Sequence, residues 1–446
     1  MSALFNKLHA RLGDLWWYSL MIFVACRTGD VIQAFIGLWL VPKYVGHKEL
    51  GAVLPLQQLS GFFSVPLAII ATVFAKYVNA YATKREYGKV KSLIHDTLLT
   101  ACIVFIVSIA VAYLIIPHFY VRLNVASGML TVLILAAGFT ANISNLLASA
   151  LQGLKKFRTM TVQNLISAPI RLVTLLAAMP VRALSGYILG QATPPAACSV
   201  FAALTLHHDF KLITADKSWR KDLPEIIRYL FPVAVYMGLG MLFATISATI
   251  YRQRLPAVES AAYYLLSRFS EIAGYFGTSM MVILLPLASE AHENGKDNPS
   301  LLRHTVTGTV LTTLLLSAGF AFFGKHILSL SEVWQRYANY AYILPWMTAI
   351  TGSSLLISSI VTYEMACRRF RMAAFVIFIN LAWTIFIVAF TGYGYFRGIL
   401  PDAIVDWMGS IHLARLSTIT WATVAVHCLQ LSLLPLVLSS THTRHE

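Results

Sequence analysis

Two pairs of opposite charges recur with the same spacing. Arg27 and Asp30 stand in the first long apolar run of the chain, and Arg268 and Glu271 stand in a much later one. Residues three apart on a helix share a face. Gln33, Ala34 and Gly37 continue the first face, while Tyr264, Arg268, Glu271 and Tyr275 follow the i, i+4, i+7, i+11 rhythm of a stripe on the second. A third base, Arg171, lies midway along another apolar run, with Asn164 and Ser167 on its face and no acid there. The chemistry open to such a set is anion binding. Guanidinium stays charged and grips phosphate oxygens bidentately. Tyrosine adds a ring for stacking and a hydroxyl for hydrogen bonding.

The cost of these residues argues for a use. An Arg at the centre of a membrane-spanning helix costs about 2.5–3.5 kcal/mol on insertion scales, and such residues usually face a bundle interior or a wet cavity. Three of them facing lipid would cost about 8–10 kcal/mol, comparable with the net stability of a domain. For each pair the plainer alternative is a self-satisfied polar seam between helices. For Arg171 the partner comes either from another helix, with Asp30 and Glu271 as candidates, or from a ligand such as a diphosphate. Two acids do not neutralise three Arg, so one positive charge is left over.

Other charges read more simply. Glu364 and Arg368 are a local i,i+4 pair near a helix end. Arg182, Arg252 and Arg254 fall at outer helix ends, as an exit ring or as plain loop charge. His95, His292 and His304 flank inner loops and carry no assignment.

The elements that position these residues are membrane helices. The chain has 446 residues, of which 58% are hydrophobic and 12% charged, with mean hydropathy +0.69. A soluble domain is nearer one quarter charged. Runs of about 20 apolar residues suffice to span a bilayer. They predict twelve spans, at about 17–42, 52–76, 93–116, 127–152, 160–181, 185–206, 225–250, 259–288, 304–324, 337–366, 371–392 and 416–438. Pro194-Pro195 predicts a kink or a break in the sixth. Residues 1–15 read as an interfacial helix, with Leu4, Phe5, Leu8 and Leu12 on one face and Lys7 and Arg11 on another, ahead of Trp16 and Trp17. Met1–Asp14 lacks a compact apolar stretch with a cleavage site, so no signal peptide is expected.

About twice as many Lys and Arg fall in the inner loops as in the outer ones, which predicts cytoplasmic N- and C-termini. That distribution also explains the net charge of +15 without nucleic acid. The five Cys are scattered singly, so neither a metal centre nor a disulfide framework is expected. No P-loop is present to bind ATP. The polar stretch 207–224 divides the spans six and six. This gives an N-terminal lobe over 1–206, a cytoplasmic linker over 207–224 and a C-terminal lobe over 225–446. Glu49-Leu-Gly-Ala with Leu56 and Ser60 echoes Glu259-Ser-Ala-Ala with Leu266 and Ser270, and Gly88-Lys89 echoes Gly295-Lys296. The fold class expected is therefore an all-α polytopic membrane protein, about 12 helices in two six-helix lobes related by an internal pseudo-repeat, with a substrate path between lobes.

Several segments resemble a known superfamily. Pro286-Leu-Ala-Ser289-Glu290 followed by Asn294-Gly295-Lys296-Asp297 resembles a helix-end signature of the multidrug/oligosaccharidyl-lipid/polysaccharide (MOP) exporters. Leu151-Gln-Gly153-Leu-Lys-Lys-Phe157 followed by Asn164 and Arg171 does so too, as does Arg27-x-x-Asp30…Gly37…Gly46-x-x-x-Leu50-Gly51. The chain looks most like the flippases for lipid-linked oligosaccharides of O-antigen and capsule assembly. The resemblance implies two six-helix lobes, alternating access and a cationic interior for a polyprenyl-diphosphate-linked glycan. Lipid II flippases, cousins in the same superfamily, are implied to carry a further Arg in the second span and two extra C-terminal spans. Gln57-Gln58 stand here instead, and the extra spans are missing from this sequence.

The function this predicts is an inner-membrane flippase, not an enzyme. Arg27, Arg171 and Arg268 would hold phosphates and anionic sugars, with Asp30 and Glu271 orienting the bases and Tyr264 and Tyr275 meeting the head group. No cofactor is expected, and the resemblance implies coupling to a proton or sodium gradient. The partners expected are the lipid-linked glycan, membrane lipids and the polysaccharide polymerase machinery, around a monomer that binds no nucleic acid. Two alternatives stand. A multidrug cation exporter of the same superfamily would want a net acidic cavity. A membrane glycosyl polymerase or ligase would use the outer segment Thr391–Arg415, where Asp402 and Asp406 mimic a carboxylate pair, although its amphipathic look suits an interfacial helix better.

Overall fold

The computed structural model describes residues 27–123, 128–154, 156–293, 299–367, 369–391 and 415–442. Every regular element among them is helical. Helix α1 covers residues 27–44 and passes through one π turn at Ile36–Leu40. Then follow α2 (His47–Thr83), α3 (Tyr87–Leu123), α4 (Gly128–Gly153), α5 (Phe157–Ala178), α6 (Ala183–Phe210), α7 (Leu223–Arg254), α8 (Ala257–Glu293), α9 (Pro299–Ser329), α10 (Leu344–Ala366), α11 (Arg371–Thr391) and α12 (Leu416–His442). These coincide in order and place with the twelve predicted spans. The predicted interfacial helix, Trp16 and Trp17, the Asp402/Asp406 segment and the Asn294–Asp297 motif lie outside the described residues.

Nine stretches among the described residues are long and apolar enough to cross a membrane. The other three helices are α1, α6 and α8. Helices α2, α3 and α8 have 37 residues each. At 1.5 Å per residue they measure about 55 Å, well beyond the ~30 Å hydrocarbon core.

Of the kink or break expected at Pro194-Pro195, the break does not occur: helix α6 runs from Ala183 to Phe210 with both prolines inside it. Prolines lose backbone donors wherever they sit, but close packing holds this helix together. A Cβ on Gly190 would lie 2.3 Å from Leu175 Cδ2 of α5, and one on Gly186 would lie 2.5 Å from the Ala178 carbonyl oxygen. Glu364, in turn, pairs with Arg369 at 3.9 Å, and Arg368 lies outside the described residues. The α10 helix has ended by Cys367, and the turn that follows brings Arg369 back, its amide donating to the Glu364 carbonyl at 2.7 Å.

The chain divides into two compact units. Unit one holds Met1–Ile36 and Leu56–Met241; unit two holds Gly37–Pro55 and Leu242–Glu446. In unit one a core joins Phe74, Tyr77 and Val78 of α2, Val90 and Leu93 of α3, Leu147 and Leu151 of α4, and Leu206 and Phe210 of α6. Gly153 of the Leu151–Phe157 motif lets α4 approach α2, since a Cβ there would lie 2.7 Å from Val78 Cγ1.

The 207–224 stretch is packed onto this unit rather than free of it. Trp219 is buried in the same core. The Asp216 amide donates to the Gly88 carbonyl at 3.0 Å and Lys91 Nζ donates to the Ile213 carbonyl at 2.7 Å. Arg220 pairs with Asp96 at 2.8 Å, and Tyr81 donates to Asp222 at 2.6 Å. The glycine of Gly88-Lys89 makes this possible, because a Cβ there would lie 2.8 Å from the Thr214 carbonyl oxygen.

Candidate functional site

Each unit holds one part of the predicted set. In unit one, Arg27 Nη1 lies 3.1 Å from Asp30 Oδ2 on α1, the side chains 19% and 29% exposed. The pair predicted from spacing is therefore formed, and both members stay partly open. One turn further along α1, Gln33 Oε1 accepts a hydrogen bond of 2.6 Å from Arg171 Nη1 on α5. Arg171 follows Pro169, which lies inside α5. Its Nε is buried without a hydrogen-bond partner among the described residues. So the partner of Arg171 does come from another helix, but it is a neutral amide, and within unit one Asp30 pairs with Arg27 instead.

The surroundings of Arg171 are amide- and hydroxyl-rich. Gln57 of α2 donates to the Tyr187 hydroxyl of α6. Thr193 donates to Thr174 at 3.1 Å, and Gln163 Nε2 donates to the Cys198 carbonyl at 3.3 Å. These bonds lace α5 to α6 and α2 to α6. Gln57, noted in the sequence only as the residue standing in place of an Arg, is part of this polar lining. The pairing was not legible because 130 residues separate Gln57 from Tyr187.

In unit two the stripe on α8 grades from buried to open. Tyr264 is 1% exposed and Arg268 9%, whereas the Glu271 side chain is 35% exposed. Arg268 Nη1 donates to Glu271 Oε2 at 2.8 Å. The guanidinium lies 5.1 Å from the Tyr264 ring centroid, a cation–π contact. Tyr264 therefore serves as a platform for Arg268, and its burial leaves little of its ring for a sugar. Tyr275 is half-buried two turns beyond Arg268.

The π turn of α1 completes the second arrangement. A Cβ on Gly37 would lie 3.1 Å from Arg268 Cδ, so glycine lets the aliphatic stem of Arg268 cross the α1 backbone. A π turn disturbs the i→i−4 ladder and recurs at functional sites. Here the Leu38 carbonyl accepts from Trp334 Nε1, and Phe269, next to Arg268, meets the same indole edge-on at 5.3 Å. At the opening of α8, Ser260 Oγ donates to the Gly51 carbonyl at 3.4 Å. A Cβ on Gly51 would lie 2.3 Å from that oxygen. The two echoing segments around Glu49 and Glu259 thus abut. Glu259 itself accepts from the Leu416 amide at 2.6 Å, capping α12.

Charge separates the three bases. Arg27 and Arg268 each hold a carboxylate on their own helix, while Arg171 holds an amide. No group of His, Cys, Asp and Glu suited to a metal occurs among the described residues.

The fold that carries this arrangement is found in solved structures of membrane transporters. No protein-family model matches the chain, and no curated protein matches it in sequence. Solved structures do match it in fold. A multidrug resistance MATE family transporter of the MOP superfamily, in an inward-facing conformation, superposes with TM-score 0.68 at 12% identity, covering 96% of this chain and 100% of its own. A MOP superfamily transporter from Pyrococcus furiosus gives 0.63 at 12% identity, over 94% of each chain. The lipid II flippase MurJ, inward closed, gives 0.61 at 14% identity, over 95% of this chain and 87% of its own.

Proposed function

We propose that this chain flips a polyprenyl-diphosphate-linked oligosaccharide across a bacterial inner membrane for surface polysaccharide assembly. The observation that carries the reading is Arg171, a mid-helix base whose polar partner among the described residues is the neutral Gln33. With Arg27 and Arg268 each balanced by a carboxylate, Arg171 supplies the net positive charge that an anionic head group needs. The lipid tail stays in the bilayer while the head group passes, and the units alternate in access as in other transporters built from repeats. A proton or sodium gradient drives the cycle, the chain acts as a monomer, and it hands its product to the polymerase machinery.

The fold is shared with a lipid II flippase and with multidrug exporters, so charge has to choose between substrates. A hydrophobic cation would meet an uncompensated Arg171, which disfavours a multidrug role. The Pyrococcus neighbour is itself described by a reversed polarity of its binding pocket that suggests a different function. A polymerase or ligase reading draws no support from neighbours that are transporters.

The test is deletion of the gene in its host, followed by complementation with wild type and with Arg27→Ala, Arg171→Ala and Arg268→Ala at matched expression. The deletion is expected to lose surface polysaccharide and to accumulate lipid-linked repeat units on the cytoplasmic leaflet, and Arg171→Ala to restore least. Full polysaccharide in the deletion strain, with no second flippase gene present, overturns the function. Full restoration by all three variants overturns the site.

A further inference from the structure

Helices α10, α11 and α12 are almost free of ionisable side chains. Glu364 and Tyr363 stand at the far end of α10, Arg371 opens α11, and His442 closes α12. His427 and its neighbour Cys428 are the exceptions, and both lie within the apolar stretch Leu416–Leu433. His427 is eleven residues into α12, about 16 Å along its axis. An intramembrane ionisable residue is costly enough to suggest a use.

The bonding of this imidazole is specific. Nδ1 lies 2.9 Å from the Thr423 carbonyl oxygen, and a carbonyl only accepts, so Nδ1 carries the hydrogen. Nε2 lies 2.8 Å from Ser354 Oγ of α10. A hydroxyl donates to a neutral Nε2 and accepts from a protonated one. Both charge states are therefore satisfied with no heavy atom moving.

Contacts lead from α12 to the helix that carries the charged stripe of unit two. The Tyr251 side chain of α7 is hydrogen-bonded to Thr423 and Trp383. Its ring meets that of Tyr263 edge-on, with centroids 5.4 Å apart, and Tyr263 stands on α8, the helix that carries Arg268 and Glu271. Among the described residues, the titratable and charged groups on the unit-two elements packed around α12 are Tyr251, Arg252 and Arg254 on α7, Glu259, Tyr263, Tyr264, Arg268, Glu271 and Tyr275 on α8, Tyr363 and Glu364 on α10, and Arg371 on α11. Among the described residues, none of the acids pairs with His427.

We propose that His427, with Ser354, is a proton-binding site whose occupancy is coupled to the Arg268–Glu271 pair. Uptake places a proton from water on Nε2 and turns Ser354 from donor to acceptor. No other bond forms or breaks. The imidazolium puts a new charge into an apolar helix, which gives the bound proton leverage over the conformation of unit two. That this proton drives substrate movement rests on the transporter reading; the site and its coupling do not.

The test uses the whole protein labelled with 15N-histidine in lipid nanodiscs, following imidazole nitrogens from pH 4.5 to 8.5. His427→Gln assigns the signal by its loss; if that variant does not fold, Ser354→Ala assigns it by displacement. The expected result is a neutral Nδ1–H tautomer at high pH that converts to imidazolium in one step as pH falls. In Glu271→Gln the midpoint should fall, because a stabilising negative charge is gone. A His427 that stays neutral throughout, or a midpoint unchanged in Glu271→Gln, overturns the proposal. Neither outcome depends on the substrate. Loss of polysaccharide export in Arg171→Ala with no His427 titration would leave the flippase standing without this site.

Discussion

The two units solve the problem of a buried Arg in different ways. In unit two Arg268 is enclosed: a carboxylate at 2.8 Å, a tyrosine ring beneath it and a glycine backbone beside its stem. In unit one Arg171 is held by one neutral amide oxygen. A base already paired with a carboxylate gains less from a ligand, because much of its charge is already compensated. A base with a neutral partner keeps its charge for something else. Under the proposed function, this difference gives the holding of the head group to unit one and a pre-set geometry to unit two.

The largest way to break this contrast is at Arg171. Removing a charge-assisted hydrogen bond costs about 1.5–3 kcal/mol, so Arg171→Ala should weaken binding of undecaprenyl diphosphate by about 10- to 100-fold, read by titration calorimetry. Arg171→Lys keeps the charge but not the fork and should fall between. Equal losses in Arg171→Ala and Arg268→Ala would erase the distinction between the units.

A smaller effect is expected at Gly37. Valine there would meet Arg268 Cδ from a Cβ already 3.1 Å away, shifting the guanidinium off Glu271 and Tyr264. Gly37→Val should approach the Arg268→Ala phenotype and Gly37→Ala should be milder, with no change in binding through Arg171. Glu271→Gln should tighten anion binding, since it removes a competing carboxylate.

Much of this was legible in the sequence, for identifiable reasons. Apolar length placed all twelve helices, because a bilayer-spanning segment has few other solutions. The i,i+3 spacing placed Asp30 beside Arg27 and Glu271 beside Arg268, since a helix fixes its own near neighbours. What sequence could not supply was contact across helices. The choice of Gln33 over an acid for Arg171 depends on how α1 and α5 pack. The π turn at Ile36–Leu40 leaves no local signature beyond Gly37, and its Leu38 carbonyl is met by Trp334, 296 residues away. His427 drew no notice as a lone histidine, because its meaning comes from Ser354 on another helix.

The packing of each unit sharpens the contrast further. A Cβ on Gly352 would lie 2.2 Å from Thr313 Oγ1 in unit two, and one on Gly190 2.3 Å from Leu175 in unit one. Valine at either position should destabilise its own unit by about 1–3 kcal/mol, read by thermal unfolding in detergent. Gly352→Val should disturb the Arg268 site and leave Arg171 intact, and Gly190→Val the reverse.

The smallest effect concerns the docked 207–224 segment. Asp216 accepts from the Ser218 amide at 2.9 Å and from its hydroxyl at 2.8 Å, and these bonds hold its carboxyl below the usual range. A depressed folded-state value means that the stabilisation is fully present above the ordinary carboxylate pKa and is lost as pH falls through the lower folded value. Hydrogen exchange at amides of 213–222 should therefore quicken in acid relative to a pH-corrected reference, and Asp216→Asn should flatten that response.

The central claim is that the uncompensated charge of Arg171 selects an anionic head group. Its most direct test is calorimetric titration of the purified protein with undecaprenyl diphosphate and, separately, with tetraphenylphosphonium, in wild type and Arg171→Ala. The account predicts that the diphosphate binds, that its affinity falls with added salt and drops at least tenfold in Arg171→Ala, and that the cation does not bind wild type. Tight binding of the cation to wild type, with the diphosphate indifferent to Arg171, would contradict it.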